Sequence, residues 1–441
     1  MFDKLIVLDD DPTGVQTVNG INVYTDWTAE AIADGFAAPD RMFFVLTNSR
    51  AFSAERTRIE HRRIAERIIA AARRFDKKFI VISRSDSTLR GHYPIETETL
   101  RETFELNGYA VDGEILMPFF KEGGRLTMGD VHYVREGERL IPAADTEFAR
   151  DKTFGYRHSD LKEYVEEKTG GRYKAADVVS ISLEELRAVD VEGIASKLER
   201  VIGFNKVIVN ATDYEDVEIF VQALSRAMSS GKNFLFRTAA AFPKVIGGVE
   251  DRPLLTASEL LTAGNANGGL IIVGSHVRKT TQQLEALRSL DGVEFIEFDV
   301  QTVFADQLSI ELNRVIETTE KIIGGGRTAV VFTSRELLTL PTEEESLRAS
   351  VEISAALTSI VDRLKVQPRF LIAKGGITSS DVGTIGLHVK RALVLGQIAP
   401  GIPVWQLGDE SKFPGMSYII FPGNVGAVDT LKNIVAELIG H

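Results

Sequence analysis

Three aspartates in a row close the first apolar run of the chain: Leu5-Ile6-Val7-Leu8 leads directly into Asp9-Asp10-Asp11 and then Pro12-Thr13-Gly14. Adjacent like charges repel, so the cluster costs stability unless a cation, a donor or a ligand hydroxyl compensates it. It falls where ligands of open α/β sheets bind, beyond the carboxyl end of a strand. A solvated acidic turn, with Asp11 or Thr13 capping the next helix, is the plainer alternative. A second run, Ile80-Val81-Ile82, ends in Ser83-Arg84-Ser85-Asp86-Ser87-Thr88-Leu89-Arg90-Gly91-His92. Arg84 and Arg90 can each fork onto a carboxylate or phosphate. Asp86 can pair with one of them, and Ser87 and Thr88 can offer hydroxyls. A helix cap with one ion pair explains one or two of these residues and leaves the rest.

The second half carries glycine turns instead. Leu270-Ile271-Ile272-Val273 ends in Gly274-Ser275-His276, and Phe370-Leu371-Ile372-Ala373 ends in Lys374-Gly375-Gly376-Ile377-Thr378-Ser379-Ser380-Asp381. A third turn, Phe421-Pro422-Gly423-Asn424-Val425-Gly426, opens the last helix. Glycine lets a backbone approach a ligand, and N–H groups at such turns suit phosphate. Each turn alone is explained by sterics or an N-cap. Three of them following three strands of one sheet can form a single phosphate-binding rim. Gly324-Gly325-Gly326 ends a helix before a strand, the wrong order for such a loop, and no standard P-loop occurs. The seven histidines show no zinc spacing, although His132 and His276 are candidates to approach the site.

These turns need a scaffold of strands and helices. Continuous apolar runs near residues 4–8, 42–47, 79–83, 114–117, 206–210, 270–274, 328–333 and 417–421 alternate with amphipathic stretches such as 54–75, 216–228, 301–323 and 344–364. In the last of these Leu347, Val351, Leu357, Val361 and Leu364 follow helical spacing. The pattern predicts an α/β fold with largely parallel, buried sheets. Residues 240–268, rich in glycine, asparagine and proline, read as a linker or hinge between residues 1–239 and 269–441. Residues 122–173 are charged and irregular, and read as loops or a small insertion. A net charge of −12 argues against nucleic acid or an anionic membrane as partner. Absence of cysteine excludes disulfides and thiolate catalysis. With no signal peptide or spanning segment, a cytoplasmic enzyme is expected.

Asp10-Asp11-x-Thr13-Gly14 followed by Asp86-Ser87-Thr88-Leu89-Arg90-Gly91 resembles the four-carbon acid-sugar kinase family. The resemblance extends to its Gly-Ser turn, its Gly-Gly-x-Thr-Ser loop and its final glycine loop, and so spans nearly the whole chain. It implies two α/β domains with the active-site cleft between them. The first would hold the acid sugar through Asp10, Asp11, Arg84, Asp86, Ser87 and Arg90. Asp10 or Asp11 would be catalytic and orient or deprotonate the attacking hydroxyl. The second would hold ATP and Mg²⁺ through Ser275, Gly375, Gly376, Thr378, Ser379, Gly423 and Gly426. Departures are Asp9, Pro12 and His92 near the acid, and Ile377 and Ser380 near the nucleotide. The implied substrates are tetronates, 3-oxo-tetronates or a relative such as 3-oxo-isoapionate, and a homodimer is the commonest assembly for such enzymes. Two alternatives stay open. Asp9-x-Asp11-x-Thr13, with Thr47-Asn48 after a later strand, is similar to haloacid-dehalogenase-type phosphatases, whose nucleophile would be Asp9. A nucleotide-binding sensor without turnover is the other.

Overall fold

The computed structural model describes residues 2–262, 264–274, 278–304, 307–334, 343–423 and 425–440. The chain forms two compact units, Met1–Asp251 and Arg252–His441. In the first, strands β1 (Lys4–Asp9), β2 (Ile21–Tyr24), β3 (Met42–Leu46), β4 (Phe79–Arg84) and β5 (Gly113–Met117) precede a small group: β6 (Arg125–Met128), β7 (Val131–Glu136) and β8 (Arg139–Pro142). Then come β9 (Val179–Ile181), β10 (Asn205–Val209) and β11 (Phe234–Thr238). The main strands pair in parallel in the order β2-β3-β1-β4-β11-β5-β10-β9. The last strand of the unit therefore lies in the middle of the sheet, between β4 and β5.

Burial explains why β1 reads as an unbroken apolar run: all six of its residues are buried. The helix Ala54–Phe75 lays Ile64, Ala65, Ile68 and Ile69 on the cluster formed by Ile6, Leu8, Phe43, Val45 and Val81. Ile64, Ile68 and Ile69 each contribute about 1.5–3 kcal/mol. With one face pinned by the core, the carboxyl ends of β1, β3, β4 and β11 are brought side by side. Residues 122–173, read as loops or a small insertion, hold an antiparallel three-stranded sheet β6-β7-β8 and the helix Leu161–Lys168. Glycines at 124, 129 and 137 in the left-handed region make its turns, and its short charged strands hide it from periodicity.

The second unit contains β12 (Leu270–Val273), β13 (Val293–Phe298), β14 (Thr328–Thr333), β15 (Leu371–Lys374), β16 (Arg391–Ala399), β17 (Ile402–Leu407) and β18 (Ser417–Phe421). Their order is β13-β14-β12-β15-β18-β17-β16, parallel up to β18 and antiparallel beyond it. β16 was not expected, because its alternate burial (buried, half-buried) has the period of two of an antiparallel strand. Of the helical set in 344–364, Leu357, Val361 and Leu364 are buried but Val351 is 61% exposed; Leu347 lies outside the residues whose side chains are described. The described part of 240–268 includes helices Ala241–Gly247 and Ala257–Leu260.

Candidate functional site

The chain end of β1 delivers the aspartates, and each meets a different fate. Asp9 turns inward: a Cβ on Gly14 would sit 2.0 Å from its carboxylate oxygen, so only glycine lets the turn fold over it. Arg84 Nη1, from the end of β4, lies 3.2 Å from Asp9 Oδ1 and 3.5 Å from Asp10 Oδ1. Burial pushes the Asp9 carboxyl up to about 8, with Arg84 pulling the other way. Asp10 is 2% exposed. Among the described residues neither of its carboxylate oxygens has a hydrogen-bond partner; Arg50 Nε at 3.2 Å and Arg84 supply charge only. Burial raises its pKa to about 6 against the pull of Arg50 and Arg84. For Asp11 burial also pushes upward, but the Arg50 guanidinium and the Thr13 N–H at 2.7 Å outweigh it and hold the carboxyl below the usual range.

The Asp86 turn sits beside this cluster because β4 is the neighbour of β1. Arg90 Nε donates to Asp86 Oδ2 at 2.7 Å, the Thr88 hydroxyl donates to the same oxygen, and Arg50 Nη1 is 3.8 Å from Oδ1. Despite burial, Arg90 and Arg50 hold the Asp86 carboxyl well below its ordinary pKa. Ser87 is nearly buried. Arg50 and Arg90 keep 20% and 24% of their side chains exposed, so both can still reach a bound anion. The structure thus brings Asp10, Asp11, Arg84, Asp86, Ser87 and Arg90 together.

Sequence reasoning missed Arg50 and Arg237. Arg50 follows the left-handed Asn48 just beyond β3. The signal was present, since the apolar strand Met42–Leu46 runs straight into the polar residues Thr47-Asn48-Ser49-Arg50. Arg237 lies near the end of β11, pairs with the buried Glu96, and donates from Nη2 to the Arg90 carbonyl at 3.3 Å. Glu96 also accepts the Ser49 hydroxyl at 2.6 Å. Gly91, at φ +122°, leaves room for this guanidinium: a Cβ there would lie 2.7 Å from Arg237 Nη2 and 3.4 Å from Asp10 Oδ2.

In the second unit β12, β15 and β18 are adjacent and parallel, so their carboxyl-end turns are neighbours. Gly274 abuts Thr378, whose Oγ1 would be 2.2 Å from an added Cβ. The Lys374 ammonium donates to the Pro422 carbonyl at 3.1 Å, and the Thr280 hydroxyl donates to the Gly423 carbonyl at 3.3 Å. Gly375 sits at φ +120° and its N–H donates to the Phe421 carbonyl at 3.0 Å. Gly376 begins the helix Gly376–Asp381, and Gly426 sits at φ +82°. The Ser379 hydroxyl is turned inward onto the Ala373 carbonyl at 2.8 Å. Lys374 is fully buried, so it ties two turns together and does not face solvent. Desolvation, with Lys279 adding to it, lowers its pKa to about 7. Ser275, His276 and Asn424 lie outside the described residues.

Among the described residues no group of three or more His, Asp or Glu could hold a metal ion, and no helix is long and apolar enough to cross a membrane. Compared with known families, residues 5–246 match a sugar-binding N-terminal domain and residues 270–431 a nucleotide-binding C-terminal domain. No curated protein matches the chain. Among solved structures, a Salmonella typhimurium LT2 protein with a provisional tRNA-synthase label aligns over 98% of both chains at 15% identity and a TM-score of 0.70. Haemophilus influenzae protein HI1011, of the family designated DUF1537, aligns over 98% of this chain and 100% of its own at 16% identity and a TM-score of 0.62. At these identities the two structures speak for the fold.

Proposed function

The chain belongs to the four-carbon acid-sugar kinase family, and from that premise we propose that it transfers the γ-phosphate of ATP to a hydroxyl of a small acid sugar. The observation that carries this reading is Asp10. It is a buried carboxylate with no hydrogen-bond partner among the described residues, beside two guanidinium groups and at a strand's carboxyl end. A sugar hydroxyl would supply the missing partner, and a carboxyl raised to about 6 is ionised at neutral pH yet basic enough to take a proton as the hydroxyl attacks. The partly exposed ends of Arg90 and Arg50 are the candidate anchors for the acid's carboxylate. Arg84 is committed to Asp9 and Asp10, so its part is to set their charge.

On the donor side, the turns at Gly274, Gly375–Ser379 and Gly423–Gly426 are the proposed seat of the triphosphate. Phosphoryl transfer asks mainly for alignment and charge neutralisation. Mg²⁺ would arrive with ATP as part of the substrate, held by phosphate oxygens and water, since the described residues offer no protein cage for it. Transfer requires donor and acceptor to meet, and residues 240–268 are the stretch proposed as the hinge for that movement. The phosphatase alternative is disfavoured by Asp9, whose carboxylate is buried against Gly14 and Arg84 and is closed off from solvent, an unsuitable setting for a nucleophile. The test is ADP release with MgATP across D- and L-threonate, D- and L-erythronate, their 3-oxo derivatives and 3-oxo-isoapionate. At least one acid should accelerate ADP formation well above the acid-free rate. If none does, or if sugar phosphates are hydrolysed without ATP, the reading is wrong.

A further inference from the structure

The β6-β7-β8 module and the helix Leu161–Lys168 have so far no role. Their ring side chains converge on one stretch of backbone. Three consecutive carbonyls of the acid-site turn each accept a hydrogen bond: Ser87 from His132 Nε2 at 2.8 Å, Thr88 from the Tyr156 hydroxyl at 2.8 Å, and Leu89 from the Tyr164 hydroxyl at 2.9 Å. All three rings are buried. His132 lies on β7, Tyr156 in the following loop and Tyr164 on the helix. The histidine has no choice of tautomer. Nε2 faces a carbonyl and must donate, so in the neutral ring Nδ1 accepts from the Thr127 hydroxyl at 3.0 Å. Burial lowers its pKa to about 4 and keeps it neutral. The tyrosine rings brace one another edge-to-face at 5.6 Å, and Tyr164 stacks on Tyr93 at the same spacing.

The turn so held cannot be at rest on its own preferences. Leu89 has φ +68°, the left-handed region that a leucine disfavours, and its side chain is buried among these rings. This conformation separates Asp86 from Arg90 by a tight reversal and lets Arg90 Nε return to the Asp86 carboxylate. We propose that the inserted module is the template of the acid-recognition turn. His132, Tyr156 and Tyr164 are positioning residues that fix the direction of Asp86 and Arg90 and thereby decide which small hydroxy acid is accepted. This rests on the acid-sugar reading of the same site.

The test uses the full-length chain and two readouts. One is steady-state ADP release with acid and ATP varied separately; the other is the rise in Tm with D-threonate or D-erythronate in the absence of ATP. The double variant Tyr156→Phe/Tyr164→Phe keeps both rings and removes both donors. His132→Leu removes the third donor, and His132→Gln restores an N–H that can reach the Ser87 carbonyl. The expected result is an acid KM, and an acid concentration for half-maximal Tm shift, at least tenfold higher in the double variant and in His132→Leu. ATP KM should stay within twofold, and His132→Gln should recover most of the loss. An acid KM within twofold of the parent, or acid and ATP KM rising together, overturns the proposal. If the double variant does not fold, each single Tyr→Phe variant is judged by the same criteria. A parent chain that is stabilised by acid but releases no ADP defeats the kinase reading alone; the Tm readout then still decides the template. Absence of any acid response in the parent overturns both.

Discussion

The two units present their ligand turns in opposite chemical styles. In the first, Asp10, Asp11, Arg50, Arg84, Asp86 and Arg90 converge, and their charges are mutually offset. In the second, the described turns are glycine backbone and hydroxyls, with one ammonium tucked inward on the Pro422 carbonyl. The difference follows from what is to be held. Phosphate is a uniform anion that backbone N–H groups can cradle from several directions. A short hydroxy acid differs from its stereoisomers only in the direction of its hydroxyls. Reading direction takes side chains held rigidly, and buried charges are held rigidly only when paired. The first site therefore puts more at stake in each residue than the second.

Four changes would sharpen or break that contrast. The largest effect belongs to Asp10→Asn, which should lower kcat by about 10²–10⁴-fold if the carboxylate is the proton acceptor, while ATP binding by titration is unchanged. Next is stability. Arg237→Met strands the buried Glu96 and should cost about 3–5 kcal/mol in urea unfolding. Lys374→Met removes one hydrogen bond to a carbonyl and an ammonium contact 3.9 Å from the Phe421 ring centre, strands no buried charge, and should cost about 1–2 kcal/mol. Equal losses would erase the distinction. Third, two glycines should separate the substrates. Gly91→Ala crowds Arg237 and Asp10 and should raise the acid KM about tenfold, and Gly274→Ala crowds Thr378 and should raise the ATP KM about tenfold, each equivalent to about 1.4 kcal/mol. The smallest effect is in pH. Burial raises the Asp10 pKa to about 6, and its ionised form is the active one. Acid kcat/KM should therefore be flat above pH 7 and fall about tenfold per unit well below pH 6. A profile with no inflection between pH 5 and 7 would remove Asp10 from the base's role.

Much of this was legible in the residues, and the exceptions have physical causes. Strands buried on both faces announce themselves as apolar runs, so the sequence alone locates the polar turns at their ends. Arg50 and Arg237 carry the same strand-end signature but lie far along the chain from the residues they pair with, and only the order of strands brings them in. Strand β16 and the β6-β7-β8 module escaped because half-buried antiparallel strands interleave polar residues, and short ones leave too few repeats for a period to show. The burial of individual polar side chains was not legible. Lys374 and Asp9 look in sequence like ligand contacts, and it is packing that turns them inward.

The place of β11 has a consequence for synthesis on the ribosome. As the last strand of its unit yet an interior one, it leaves β4 and β5 without their shared neighbour until residues 234–238 have emerged. Until then a nascent chain exposes two unpaired strand edges, and Glu96 lacks the arginine that pairs with it in the folded unit. The first unit should thus mature in one late step, and fragments that stop short of Phe234 should be prey for proteases and chaperones instead of half-built enzymes.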